Sequence, residues 1–249
     1  SISPMSEIVK TQAIVLRKID FGETSRIAQF YTEDYGKISA IIKGARSPKS
    51  KIGSLVDTMN LLQLVLYKKE TREVQLVSQV DLIKQYAGIR DNYEKYISAS
   101  AVIELLSNMT LENEHSKKIF NGTVRIFTLL DSTDDNPKIL FIKYFLFFLR
   151  EIVYDFQLRH CNVCHNEINS KSSVSINFET GLMCDECRKD HLTNYDFNEE
   201  LLNLLLCLNT KQNSIVCKEE DLNVIIKMLE KYLSYHIHEF KGLKSLKLN

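Results

Sequence analysis

Ala13-Ile14-Val15-Leu16-Arg17-Lys18-Ile19 opens a series of short segments in which apolar and polar residues alternate with a period of two. A second segment, Arg26-Ile27-Ala28-Gln29-Phe30-Tyr31, turns at Asp34-Tyr35-Gly36 into Lys37-Ile38-Ser39-Ala40-Ile41-Ile42. Leu61 to Tyr67 and Val74 to Ile83 follow, joined by the charged turn Lys68-Lys69-Glu70-Thr71-Arg72. Val, Ile, Thr and Tyr are enriched throughout, so these runs read as five strands. Five short strands so close in sequence fit a small closed barrel, because closure removes exposed edges. Gly44 to Ser54, rich in Gly, Ser, Pro and Lys, reads as a mobile loop.

From Asn92 onward the period lengthens. Tyr96, Ala99, Val102, Ile103 and Leu106 form one apolar helical face, and Ile119, Val124, Phe127 and Leu130 suggest a second. Pro137 sits where a first helical turn tolerates it and opens an apolar helix expected to reach about Phe156. Asn198 to Leu208 and Glu220 to Tyr235 read as two more helices, and Lys241 to Asn249 as a basic, frayed tail. The expected class is α+β: a barrel over residues 5–84, then a helical domain over 85–249 with a metal-binding insert at 158–192.

The chain has 249 residues, 44% hydrophobic and 26% charged, which is ordinary for a globular protein with a real core. Its most apolar run, Ile139 to Leu149, is too short to span a bilayer and is interrupted by Lys143 and closed by Arg150. Ser1-Ile2-Ser3-Pro4 before Met5 reads as an appendage rather than a targeting segment. A cytoplasmic, reducing compartment is therefore expected, where paired cysteines bind metal rather than form disulfides.

Cys161-x2-Cys164, nineteen intervening residues, then Cys184-x2-Cys187 is the spacing of a four-cysteine zinc site. Two cysteines separated by two residues direct both sulfurs into one tight turn. Two such turns facing each other complete a tetrahedron of thiolates about 2.3 Å from the metal. Val174-Ser175-Ile176-Asn177-Phe178 between them reads as a strand and Gly181 as a turn. With every position filled by protein, the expected Zn2+ is structural rather than catalytic. A thioredoxin-type motif needs one CxxC in an α/β setting, which this is not. Four cysteines also suit an iron–sulfur cluster, but paired turns closing one insert favour zinc. His165 reads as solvated, Cys207 as a small core residue, and Cys217 lacks a partner at useful spacing.

Formal net charge is zero, so any polyanion surface must come from uneven placement. Met5 to Lys84 carries thirteen Lys or Arg against nine Asp or Glu. Lys37, Lys43, Arg46, Lys49 and Lys51 lie within fifteen residues without a carboxylate, and Arg17, Lys18 and Arg26 lie on neighbouring strands. A basic loop beside a barrel displaces counterions from phosphates and gives salt-sensitive, sequence-indifferent affinity. Phe21, Phe30, Tyr31 and Tyr35 are available either as stacking platforms or as barrel core.

Ile14-Val15-Leu16-Arg17-Lys18-Ile19-Asp20-Phe21-Gly22-Glu23-Thr24-Ser25-Arg26-Ile27, with Tyr35-Gly36-Lys37-Ile38-Ser39-Ala40 and Lys43-Gly44-Ala45-Arg46-Ser47-Pro48-Lys49-Ser50, resembles the RecO family of bacterial DNA repair proteins. The resemblance runs nearly the whole chain, since that family also carries a helical domain with a two-CxxC zinc site. It implies an OB-type barrel that binds single- and double-stranded DNA, anneals complementary strands, and helps load the RecA recombinase. The loading acts on strands coated by single-strand binding protein, in concert with RecR, and during repair the protein would associate with the nucleoid. The DNA-binding residues so implied are Arg17, Arg26, Lys37, Lys43, Arg46, Lys49 and Lys51. A docking site for the acidic, phenylalanine-ended tail of single-strand binding protein is implied in the helical domain. Gly53-Ser54-Leu55-Val56-Asp57-Thr58-Met59, Val153-Tyr154-Asp155-Phe156 and the single Gly181 depart from the family's usual loops.

An enzyme acting on nucleic acid is disfavoured. No His-x-Glu precedes a Pro-Cys-x-x-Cys, no GxxxxGK[ST] loop is present, and Asp34, Asp57 and Asp81 are scattered. An RNA-binding or transcription-associated zinc-ribbon protein is the alternative that barrel and ribbon alone would allow.

Overall fold

Alternation along β1 (Glu7–Phe21), β2 (Ser25–Thr32), β3 (Gly36–Ile42), β4 (Leu61–Lys68) and β5 (Val74–Lys84) puts one apolar face on each strand. In the computed structural model, which describes residues 6–154, 157–168, 173–210 and 215–247, β1 pairs antiparallel with β2 and with β4. β3 pairs antiparallel with β2 and parallel with β5, and β5 returns antiparallel to β4. The order β1-β2-β3-β5-β4 thus closes into a barrel. Val9, Ala13, Val15, Ala28, Phe30, Ile38, Ala40, Ile42, Leu62, Leu64 and Leu66 fill it. Phe30 and Tyr31 are buried, which settles these two aromatics as interior residues.

The segment expected to be a mobile loop is packed instead. Residues 51–55 form a short helix, α1 (Lys51–Leu55), whose N-cap Ser50 accepts a hydrogen bond from the Gly53 amide at 3.2 Å. Ile52 and Leu55 of α1 lie against the barrel core, together with buried Ala45 and Val56. Gly53 is required because a Cβ there would stand 1.8 Å from the Ala45 carbonyl oxygen. Composition marks the segment as a turn, but its few apolar residues are enough to anchor it.

α2 (Ala87–Arg90), α3 (Tyr93–Met109) and α4 (Lys117–Ser132) belong to the barrel's compact unit, which runs to Thr133. The boundary expected at residue 85 therefore marks the end of the barrel strands. Asn92 and Ser116 cap α3 and α4 by accepting the amides of Lys95 and Ile119. Ala99, Val102, Ile103 and Leu106 are buried as expected, whereas Tyr96 is 44% exposed, because it sits in the first turn of α3.

The connection between α3 and α4 is tied to β3. The Asn113 amide donates to the Lys37 carbonyl at 3.0 Å, and Lys37 Nζ donates to the Ser107 carbonyl at 2.8 Å. Gly36, in the left-handed region at φ 65°, makes this approach possible: a Cβ there would lie 2.0 Å from the Glu114 carbonyl oxygen.

The second unit, from Asp134 to Lys247, contains α5 (Pro137–Glu151), α6 (Glu199–Leu208) and α7 (Glu219–His236). It also holds a three-stranded ribbon of order β7-β6-β8, formed by β6 (Val174–Asn177), β7 (Gly181–Cys184) and β8 (Tyr195–Phe197). Phe141, Phe145 and Phe148 of α5 are fully buried. The helix stops at Glu151, short of the expected Phe156; Val153 has φ 70°, and Asp155 and Phe156 lie outside the described residues. Nor is the tail frayed up to Lys247, since Phe240 and Leu243 are buried and the Leu243 amide donates to Glu230 Oε1 at 2.6 Å. Residues 1–5, which include the appendage before Met5, and residues 248–249 are not among those described. Among the described residues, no helix is long and apolar enough to cross a membrane.

Gly36→Ala is expected to cost at least about 2 kcal/mol, combining left-handed strain with displacement of the α3–α4 connection. Gly22→Ala, also left-handed but with no atom within 4 Å of its added Cβ, should lose only about 1 kcal/mol. Equal losses in urea unfolding would show that Gly36 does not hold that connection.

Candidate nucleic-acid interface and metal centre

A β-bulge between Val15 and Arg17 decides which β1 side chains face the barrel mouth. Before it, Val9, Ala13 and Val15 point inward. After it, Lys18 stands opposite inward-facing Ala28, and Asp20 stands opposite Arg26, which is itself opposite inward-facing Ile42. Arg17, Ile19 and Phe21 are thereby turned to the outer face, where all three are exposed. Phe21, at 51% exposure, is thus a surface aromatic at the tip of the β1–β2 hairpin.

Asp20 gathers two of the expected cations. Arg26 Nε donates to its Oδ1 at 3.0 Å, and Arg46 Nε stands 3.2 Å from its Oδ2. Each guanidinium is also anchored to backbone: Arg26 Nη1 donates to the Gly53 carbonyl at 3.0 Å and Arg46 Nη1 to the Gly22 carbonyl at 2.7 Å. The Arg26 hydrogen bond, aided by the charges of Arg46, Arg26 and Lys18, holds the Asp20 carboxyl below its ordinary pKa. Lys18 pairs with Asp57 at 2.7 Å, and Asp57 also accepts from Arg90 at 2.8 Å, so this lysine helps bind α2 to the barrel.

Lys43, Lys49 and Lys51 are exposed on the β3–β4 connection, and Arg17 is exposed on β1. Lys37 is different. It is 9% exposed on the outer face of β3, under the α3–α4 connection, and its ammonium is engaged by Ser107. Burial lowers its pKa, partly offset by Glu112. The structure therefore separates Lys37 from the exposed cations with which sequence proximity grouped it. Asp20 was missed by residue-type reasoning, although a hairpin centred on Glu23 places residues 20 and 26 opposite each other.

Cys161, Cys164, Cys184 and Cys187 converge, with all four Sγ atoms within 4.8 Å of one another. Two tight turns do this. The first is closed by the His165 amide on the Cys161 carbonyl and by the Cys161 amide on the Asn166 carbonyl, each at 2.9 Å. His165 takes the left-handed conformation at φ 63°, and its side chain is exposed and outside the cluster. The Asn162 amide then donates to the Leu182 carbonyl at 2.7 Å, docking this turn on β7, which carries Cys184. Gly181 permits the contact, since a Cβ there would lie 2.3 Å from Asn162 Nδ2.

The four sulfurs lie close enough together to share one metal ion. Thiolates about 2.3 Å from a shared zinc stand about 3.8 Å apart, and Cys164 and Cys184 Sγ are separated by 3.7 Å. Burial opposes ionisation of Cys161, yet amides of Cys164, Cys184 and Val163 directed at its sulfur bring the thiol down to about 6. Cys187 is pushed up to about 12 by desolvation and by the neighbouring thiols. Four sulfurs this close repel one another once ionised, and a divalent cation removes that conflict. Strand β8, three residues long and unexpected from sequence, supports the knuckle through Ser175, whose hydroxyl donates to Asp196.

Comparison with known proteins agrees with both halves of this architecture. The family description "Recombination protein O N terminal" matches residues 5–86, and "Recombination protein O C terminal" matches residues 90–247. A "DNA repair protein RecO" of Chlorobium limicola is 32% identical over 154 residues, 62% of this chain and 59% of that protein. Another, from Chloroherpeton thalassium, is 40% identical over 126 residues, 51% of this chain and 46% of that protein. The similarity to these two thus spans only about half to three-fifths of their length. The RecO of Pelodictyon phaeoclathratiforme is 27% identical over 96% of both chains. With the two domain descriptions together running from residue 5 to 247, the chain belongs to the RecO family.

Proposed function

We propose that this protein is a mediator of DNA repair and homologous recombination that binds single- and double-stranded DNA and anneals complementary strands without covalent chemistry. The observation that carries the reading is the cation group at the barrel mouth: Arg26 and Arg46 joined through Asp20, with exposed Lys43, Lys49 and Lys51 on the adjoining connection. Arg17 and Phe21, exposed on the outer face of β1, flank this group and would add a cation and a face for a base to stack on. Lys37, engaged by the fold, contributes positive potential rather than a direct bond to phosphate. Cations lining one surface reduce repulsion between two complementary backbones, while base pairing supplies the sequence specificity. Membership of the RecO family supports the repair and recombination role.

The proposed partners are RecR, the tail of single-strand binding protein and, indirectly, the RecA recombinase, in a cytoplasmic and nucleoid-associated setting. For the acidic, phenylalanine-ended tail, a groove of about 540 Å³ in the second unit has suitable chemistry. Phe178 and Tyr235 give it apolar surface, and Lys227, Lys231, Lys241 and Lys247 line it against one carboxylate, Glu230, which is engaged by the Leu243 amide. The four cysteines are proposed to hold one structural Zn2+, supported by the convergence of the four sulfurs, with Cys164 and Cys184 at the spacing zinc ligands take, and by four donors supplied wholly by protein.

Reversing charge at Arg46 and Lys49 together should weaken single-strand binding about tenfold or more at low salt, equally across sequences. For every phosphate that is no longer neutralised, the log–log salt slope should also fall by about 0.7. Unchanged affinity and slope in fluorescence anisotropy would place the interface elsewhere. Purified protein should contain one zinc per chain by elemental analysis, and Cys184→Ser should lose it. Chelation should lower thermal stability, with binding energies in zinc peptides of ~10 kcal/mol setting the scale; full stability after metal removal would contradict the structural assignment. Lys227→Glu with Lys231→Glu should weaken binding of an acidic, Phe-ended peptide about tenfold or more, since charged pairs are worth about 1 kcal/mol each. A peptide affinity equal to that of the unaltered protein would remove the groove from consideration.

A further inference from the structure

Asp20 stands in the middle of the basic surface, where a protein built only to attract phosphate would gain by omitting a carboxylate. Its two oxygens are divided between two arginines: Oδ1 faces Arg26 Nε at 3.0 Å and Oδ2 faces Arg46 Nε at 3.2 Å. A phosphodiester presents two non-bridging oxygens and one negative charge, so it can replace the carboxylate in both hydrogen bonds. The Asp20 side chain is 55% exposed, and exposed ion pairs of this kind are weak, so exchange with a solution anion is inexpensive.

The arginines would survive that exchange in place. Arg26 remains attached to the Gly53 carbonyl and Arg46 to the Gly22 carbonyl, and the Arg46 amide is fixed to the Thr24 carbonyl at 2.8 Å. Both guanidiniums therefore have backbone anchors independent of Asp20. Each guanidinium also carries five N–H donors, more than these bonds use, which leaves further donors for an incoming phosphate. Fixed cations and an exchangeable anion between them constitute an occupied anion site.

We propose that Asp20 is a resident substitute for a DNA phosphate, filling the Arg26–Arg46 site in the free protein and leaving it when a strand binds. The proposal rests on the reading of this surface as a DNA interface. Its consequence is a lowered affinity and an easier release, because the carboxylate competes for the two guanidiniums throughout the bound lifetime. Release matters for annealing, in which strands must be surrendered as duplex after each encounter. Neither Arg26 nor Arg46 has to be created or reoriented by binding; only the anion changes.

The test uses the full chain and a labelled single-stranded oligonucleotide over a salt series. Asp20→Asn should tighten binding about three- to tenfold, the scale of two weak ion pairs removed as competitors, and slow dissociation correspondingly. Asp20→Glu, which keeps the charge, should remain near the original affinity. Glu23→Gln removes an exposed carboxylate from the same hairpin and should produce a smaller effect. Thermal unfolding of each variant separates a binding effect from a folding effect. If Asp20→Asn binds no tighter, or if Glu23→Gln tightens as much, displacement is wrong, and general charge or clamping accounts for Asp20. If Arg46→Glu also binds like the unaltered protein, the interface itself is misplaced, a failure distinct from that of Asp20 alone.

Discussion

The pairing of β1 on both of its edges is the constraint from which most of the first unit follows. A fifteen-residue strand shared between β2 and β4 closes the barrel only if its register is fixed on both sides. A slip of one residue would send Val9, Ala13 and Val15 outward together, so burial enforces the register. The bulge between Val15 and Arg17 is the place along β1 and β2 where that phase is broken. Beyond it the strand presents Lys18 and Asp20 at the barrel mouth and Phe21 to solvent. Closure and the character of the basic surface are therefore products of the same strand.

The cations of this surface are held by different means. Arg26 and Arg46 are immobilised by carbonyl oxygens and one carboxylate. Lys43, Lys49 and Lys51 ride on a connection anchored by Ala45, Ile52, Leu55 and Val56. This anchoring reduces the conformational entropy that the segment would lose on meeting a ligand. Lys37 is a few residues away in sequence but holds α3 through Ser107 and the α3–α4 connection through Asn113. Sharing a charged stretch does not confer a shared role when alternate strand positions face different surroundings.

In the second unit the four sulfurs are brought together by backbone hydrogen bonds rather than by apolar packing. One turn closes on itself through the Cys161 and His165 amides and then attaches to β7 at Leu182. Cys161 is buried, whereas Cys164 is exposed. A site with that gradient is organised from its inner sulfur outward. In the adjoining ribbon Val174 pairs with Cys184 on one side and Phe197 on the other, and Val174, Ile176 and Phe197 are buried.

Five strands, the helical stretches and the grouping of the four cysteines were determined by sequence alone. Period-two alternation, the lengthened period of the helices and CxxC spacing are local signals, each readable within a few residues. The resemblance to RecO was legible for the same reason, since its motifs are contiguous. What only the tertiary structure decided depends on residues distant in sequence or on faces. It buried Lys37 beneath a connection far along the chain, bonded to Ser107 across 70 positions. It turned the Gly- and Lys-rich segment into a packed helix, ended α5 at Glu151, and buried Leu243 in a tail that composition alone marks as frayed. It also set Asp20 between Arg26 and Arg46, because a hairpin register and a returning loop had to meet at one point. Composition records which charges a chain carries, but only the folded backbone determines which of them are already neutralised.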